Sequence, residues 1–303
     1  MLNKILRSAG VAVVLLCASA APAMAQTNAR LGWLNDLGGS CWQGRNASGA
    51  VVDRQCFQVQ FSRFLRASIT RGANYRGDTV LGWSRERARL EMYAWTNQGE
   101  PTIVTPHLES GQLVFDGADG SNERAVWRRT DNGFEVAGQR RSGSTWGDAQ
   151  VVTYTRDGAA PAAYSAGAGA AVQGRSFGWL NGLAGRCYRQ TEPRRAQGTR
   201  GCFAFQHPPV LRQTWYRGGT TTGEAALFRG RGGAIQFFRW DEDGNFGAGY
   251  SQFAGQRLVS TSDDNTRNVM RRRQGGLEIM TEGHSGAANA EWQFVSLHRF
   301  ERE

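Results

Sequence analysis

Lysine is all but absent from this sequence: Lys4 is the only one, and every other basic side chain is arginine. Histidine occurs at four positions, His107, His207, His284 and His298, with no H-x-H or H-E-x-x-H pattern and no cysteine at metal-ligand spacing. The common zinc frameworks are therefore excluded, and neither a metal nor another cofactor is expected. The hydrolase motif G-x-S-x-G is missing too. No catalytic residue is expected. Glu135 and Glu278 recur on strands and are the carboxylates an enzyme would use, but residues in such alternation more often face solvent. Beyond the N-terminal leader no apolar run is long enough to cross a membrane.

Residues 1–25 read as a signal peptide. Lys4 and Arg7 give a basic start, Val11 to Ala21 is apolar, and Ala23-Met24-Ala25 is a small-x-small cleavage site. Leu16 is too large a neighbour for Cys17 to serve as a lipidation site. A periplasmic or secreted protein is expected. Cys41, Cys56, Cys187 and Cys202 follow the leader, with the same spacing in each pair. In an oxidising compartment this spacing points to Cys41–Cys56 and Cys187–Cys202 disulfides. Nucleic acid is not an expected partner for an exported chain. The formal net charge of +10 instead makes an anionic component of the cell envelope a candidate partner.

The chain is a tandem repeat. Gly32-Trp33-Leu34-Asn35-Asp36-Leu37-Gly38-Gly39-Ser40-Cys41 returns 146 residues later as Gly178-Trp179-Leu180-Asn181-Gly182-Leu183-Ala184-Gly185-Arg186-Cys187. The expected organisation is a first repeat over 26–156, an Ala/Gly-rich linker over 157–175 and a second repeat over 176–303. Within each repeat the hydrophobic period is two. Phe57, Val59 and Phe61 alternate with polar residues, and so do Leu65, Ala67 and Ile69. Leu113 and Phe115, then Val126, then Phe134 and Val136 continue the strands. Asn97-Gln98-Gly99, Asp119-Gly120, Asp131-Asn132-Gly133, Asp243-Gly244 and Gly275-Gly276 mark tight turns. Leu31–Leu37 and Phe177–Leu183 are the expected helical exceptions. His207-Pro208-Pro209 is expected to interrupt a strand that the first repeat keeps continuous. The reading is all-β: two tandem antiparallel up-and-down barrels of about eight strands each.

The opening W-L-x-x-L-x-G, leading into a meander whose last strand carries an arginine (Arg156, Arg299), resembles bacterial lipocalin-like domains. These often begin W-L-x-G-x-W. Here the tryptophan is displaced to Trp42 in one repeat and replaced by Tyr188 in the other. The resemblance implies calycin-type barrels with an apolar interior open at one end, and little about function beyond a small-ligand cavity.

Two aromatic strands carry the candidate ligand site. Glu91, Tyr93 and Trp95 share one face of their strand, and Gln236, Phe238 and Trp240 share the matching face in the second repeat. A polar group beside two rings suits a small apolar or amphipathic ligand in a barrel, and rings that simply fill the core are the competing reading. Arg66, Arg71, Arg212 and Arg217 also recur. As a site they would clamp a carboxylate or phosphate in bidentate fashion, whereas alternation with Leu65, Ala67 and Ile69 favours the solvent face for all four. The leading functional expectation is a non-catalytic binding protein. The alternative is an envelope interaction module that uses its arginine-rich surface.

Overall fold

The computed structural model describes residues 29–97, 101–117, 121–161, 177–193, 198–207, 210–230, 233–261, 266–284 and 291–303. The leader, the expected turns at Gln98-Gly99 and Asp119-Gly120, most of the Ala/Gly-rich stretch and the Pro208-Pro209 pair lie outside them.

Nearly every element is a strand, as the period of two requires. The first repeat runs β1 (Ser40–Asn46), β2 (Val51–Gln60), β3 (Phe64–Arg71), β4 (Tyr75–Ser84), β5 (Arg89–Thr96), β6 (Thr102–Val104), β7 (His107–Glu109), β8 (Gln112–Asp116), β9 (Glu123–Thr130), β10 (Gly133–Ser142) and β11 (Thr145–Ala159). The second runs β12 (Arg186–Glu192), β13 (Thr199–His207), β14 (Val210–Arg217), β15 (Thr220–Arg229), β16 (Ile235–Asp241), β17 (Phe246–Ala254), β18 (Arg257–Thr261), β19 (Thr266–Arg273), β20 (Gly276–Gly283) and β21 (Gln293–Arg302). All pairings among the described residues are antiparallel; they join chain neighbours, except that β1 pairs with β11 and β12 with β21. The second repeat is a closed ten-stranded barrel and the first an 11-stranded sheet.

In that first sheet the edges are β6 and β7, which only Thr105-Pro106 separates. They correspond to the single strand β17, broken in two. β6 pairs with β5 and β7 with β8, leaving a seam at the proline, which has no N–H to give to a ladder. At the other proline site, the repeats behave alike. The first repeat turns at Phe61–Arg63, between β2 and β3, just where β13 ends and β14 begins. The strand expected to be continuous there is two strands. β11 also runs to Ala159, so Asp157-Gly158-Ala159 is strand rather than the start of a linker.

Each barrel core is plugged at one end by the short 3-10 helix that opens its repeat, Ala29–Leu37 or Gly178–Leu183. Leu31, Leu34 and Leu37 pack onto Trp42, Phe57, Leu65 and Phe134 in the first core. Phe177, Leu180 and Leu183 pack onto Tyr188, Phe203, Leu211 and Phe300 in the second. Phe134 is the hub of the first core, stacked 4.4 Å from Tyr154 and met edge-on by Trp42 and Phe57. Trp42 and Tyr188, the displaced and substituted residues of the opening motif, are therefore buried core residues beside the plugs.

Both expected disulfides are present, Cys41–Cys56 and Cys187–Cys202. In each, the cysteines stand directly opposite on the first two strands of the repeat. Closing a loop of this length contributes about 3 kcal/mol on the chain-entropy model. Denaturant unfolding with and without reductant should show a loss of about that size per bridge. A midpoint that reductant does not move would show the ladders alone to be sufficient.

Candidate functional site

The structure places the two aromatic strands unexpectedly. On β5 the inward residues are Leu90 and Met92, which join the first core. Glu91, Tyr93 and Trp95 do share a face, but it is the outer face of the barrel, and all three are buried. What buries them is the other repeat. Tyr93 stacks on Phe238 at 4.6 Å and on Phe246 at 4.2 Å, and Trp95 lies 6.0 Å from Trp240. Phe64, Val80, Val210, Ala226 and Phe228 complete a third apolar cluster between the two barrels. Tyr93 and Phe238 are equivalent positions of the repeat, as are Trp95 and Trp240. The barrels thus meet through the same patch on each, in the manner of a two-fold dimer. These rings fill neither barrel interior.

The recurring arginines divide. Arg71 and Arg217 are exposed. Arg66 and Arg212 are not on the solvent face as alternation predicts, but buried at the centre of the barrel–barrel contact, 2% and 4% exposed. Arg66 lies 2.9 Å from Asp78 and 3.4 Å from Glu224 of the other repeat, and Arg212 pairs with Glu224. Gln60 and Gln206, again equivalent, reach across to Glu224 and Asp78. Burial and the neighbouring Arg66 charge pull the basicity of Arg212 below its ordinary value, and Glu224 opposes them. The signal for this cluster was available: an acid follows each arginine twelve residues later, Asp78 after Arg66 and Glu224 after Arg212.

The remaining polar candidates are held in ion pairs. Glu91 is completely buried and accepts from Arg87, Arg89 and the Tyr93 hydroxyl. Burial, then the Glu91 charge, pushes the Tyr93 phenol far up. Glu135 accepts from Arg128 at 2.9 Å. Glu278, buried rather than facing solvent, is gripped by Arg271, Arg273 and Arg299. Burial alone would raise its pKa, but hydrogen bonds from Arg271 and Arg299 outweigh this and hold the carboxyl below its usual range. A carboxylate so held is a poor acid or base near neutral pH. Among the described residues no group of three His, Cys, Asp or Glu is placed to hold a metal ion.

One open cavity stands out by its lining. It measures about 720 Å³ and is bordered by Phe237, Arg239, Tyr250 and Phe253 of the second repeat and Arg87 and Ile103 of the first. Of the six residues expected at a ligand site, Gln236 alone borders it. Phe237 and Phe253 pack on the second core. Room for the Phe237 ring comes from Gly249, where a Cβ would lie 2.5 Å from it. Tyr250 and Ile103 are 62% and 40% exposed. Alternation alone could not find this cavity, because it joins a barrel strand to the broken β6 of the other repeat.

No protein-family model and no curated protein matches the chain. Among solved structures it is similar to a protein of unknown function of the DUF3598 family from Nostoc punctiforme, at 11% identity over 89% of this chain and 97% of that one, with a TM-score of 0.21. Nothing about function follows from so loose a likeness. No helix among the described residues is long and apolar enough to cross a membrane.

Proposed function

We propose that the protein is an exported, non-catalytic binding protein built from two lipocalin-like (calycin-type) repeats, and that it takes a small apolar or amphipathic ligand at the second barrel. The observation that carries this reading is the placement of Tyr250 and Ile103, two exposed apolar side chains from different repeats, on one cavity. An exposed aromatic on a concave surface of this size is a usual ligand contact. Phe237 and Phe253 extend the apolar lining onto the barrel core, and Arg239 adds a cation for an acidic headgroup. The two disulfides are compatible with an oxidising compartment.

The test uses a fluorescent amphipathic anion, anilinonaphthalene sulfonate. Tyr250→Ala removes an exposed ring, so the fold is kept while probe affinity falls about fivefold or more. Arg239→Ala weakens the probe but not its uncharged analogue. Unchanged affinity in both variants would remove this cavity as the site.

A further inference from the structure

The plugged ends of the two barrels differ in charge. In each, the arginine of the last strand stands opposite the core aromatic of the first: Arg156 opposite Trp42, and Arg302 opposite Tyr188. The register thus makes Arg302, rather than Arg299, the counterpart of Arg156. In the first barrel the cations at this end have partners. Arg129 lies 3.0 Å from Asp36 of the 3-10 helix, and Arg156 donates to Ser40 at 2.9 Å. In the second repeat Arg129 becomes Arg272 and Arg156 becomes Arg302, but both partners are gone. Gly182 stands where Asp36 stood, and Arg186 where Ser40 stood. A carboxylate and a hydroxyl have been replaced by nothing and by a third cation.

The guanidinium groups of Arg186, Arg272 and Arg302 make no ion pair or side-chain hydrogen bond among the described residues. All three line one cavity of about 530 Å³, with Tyr188, Gln256 and Gln274. Arg273 borders it too but is engaged by Glu278 at 3.5 Å, and Glu278 is already shared with Arg271 and Arg299. This cavity shares no lining residue with the one assigned above to an apolar ligand. Three like charges around one concavity repel each other, and guanidinium forks match the oxygens of a tetrahedral anion. Gln256 and Gln274 add neutral amide groups for the oxygens of an ester.

We propose that the plugged end of the second barrel binds a phosphate-class oxyanion, either free or as a phosphomonoester headgroup. Its first-repeat equivalent is closed to such a ligand by Asp36.

The decisive variant is Gly182→Asp, which restores the first-repeat arrangement. A Cβ at 182 would meet only Arg272 Nη1, at 3.6 Å, so the fold should be unaffected. Inorganic phosphate is titrated calorimetrically at low ionic strength, and vesicles containing phosphatidic acid are tested by co-sedimentation. Wild type binds at least one probe. Arg272→Ala weakens that binding about tenfold or more, and Gly182→Asp abolishes it while thermal unfolding stays unchanged. Arg186→Ser gives a second variant that restores a first-repeat residue, with the same expected loss. Binding of phosphate identifies a soluble source, and binding of vesicles alone a lipid-borne one; either, if lost in Gly182→Asp, supports the site. Failure of both probes to bind wild type, or equal binding by wild type and Gly182→Asp, overturns it.

Discussion

Replacing Glu224 by alanine should destabilise the chain by about 3–5 kcal/mol, the usual cost of leaving a buried charge without its partner. Glu224 pairs with Arg212 of its own repeat and Arg66 of the other, and all three are almost fully buried. Without it, the buried guanidinium groups of Arg66 and Arg212 would lose the carboxylate they share across the contact. The effect belongs to the unpaired charge, not to the pair's net worth. Exchanging Arg66, Asp78, Arg212 and Glu224 together for apolar residues of similar volume should therefore cost far less than the single change. Equilibrium urea unfolding of the two variants decides the matter. A loss below about 1 kcal/mol for Glu224→Ala would mean that water reaches the cluster.

The second large effect is expected at Trp240. Alanine there removes a side chain 1% exposed, its contact with Trp95, and an indole hydrogen bond at 2.8 Å to Gln60 of the other repeat. A loss of about 3–5 kcal/mol is expected, as for other large-to-small core changes. Its character should differ from that of a change inside one barrel. Trp240 is part of what couples the repeats, so the variant should unfold in two resolved transitions where the parent unfolds in one. Trp42→Ala, within the first core, should instead lower the stability of that barrel. If Trp240→Ala lowered the midpoint but kept a single transition, coupling through this patch would be refuted.

Strand content, the turns at Asp131-Asn132-Gly133, Asp243-Gly244 and Gly275-Gly276, both short helices and both disulfide pairings were legible in the sequence, because each depends on local pattern or on matched spacing. The face of β5 was not. Leu90 and Met92 line the core while Tyr93 and Trp95 meet the second barrel, so both faces are apolar and alternation has nothing to choose between. Arg66 and Arg212 misled for the converse reason. Arginine next to an apolar run ordinarily means water, and only the recurrence of an acid twelve residues on marks them as paired. Eleven strands in the first repeat and ten in the second, rather than about eight each, follow from lengths that periodicity leaves open. The seam at Pro106 is traceable to one residue, but its meaning depends on β17, the unbroken copy of the same strand.

The matched patch between the barrels has a consequence for how the two halves can change. In an assembly of identical subunits, every substitution appears on both sides of the axis at once, so a residue that serves one copy is forced on the other. Here both partners lie on one polypeptide, and chain continuity holds them at high effective concentration whatever either half does elsewhere. Each half is then released from its twin's sequence. Asp36 and Gly182 are one outcome of that freedom, and Pro106 against the unbroken β17 is another: a chain can keep its shared contact surface and still specialise its two ends separately.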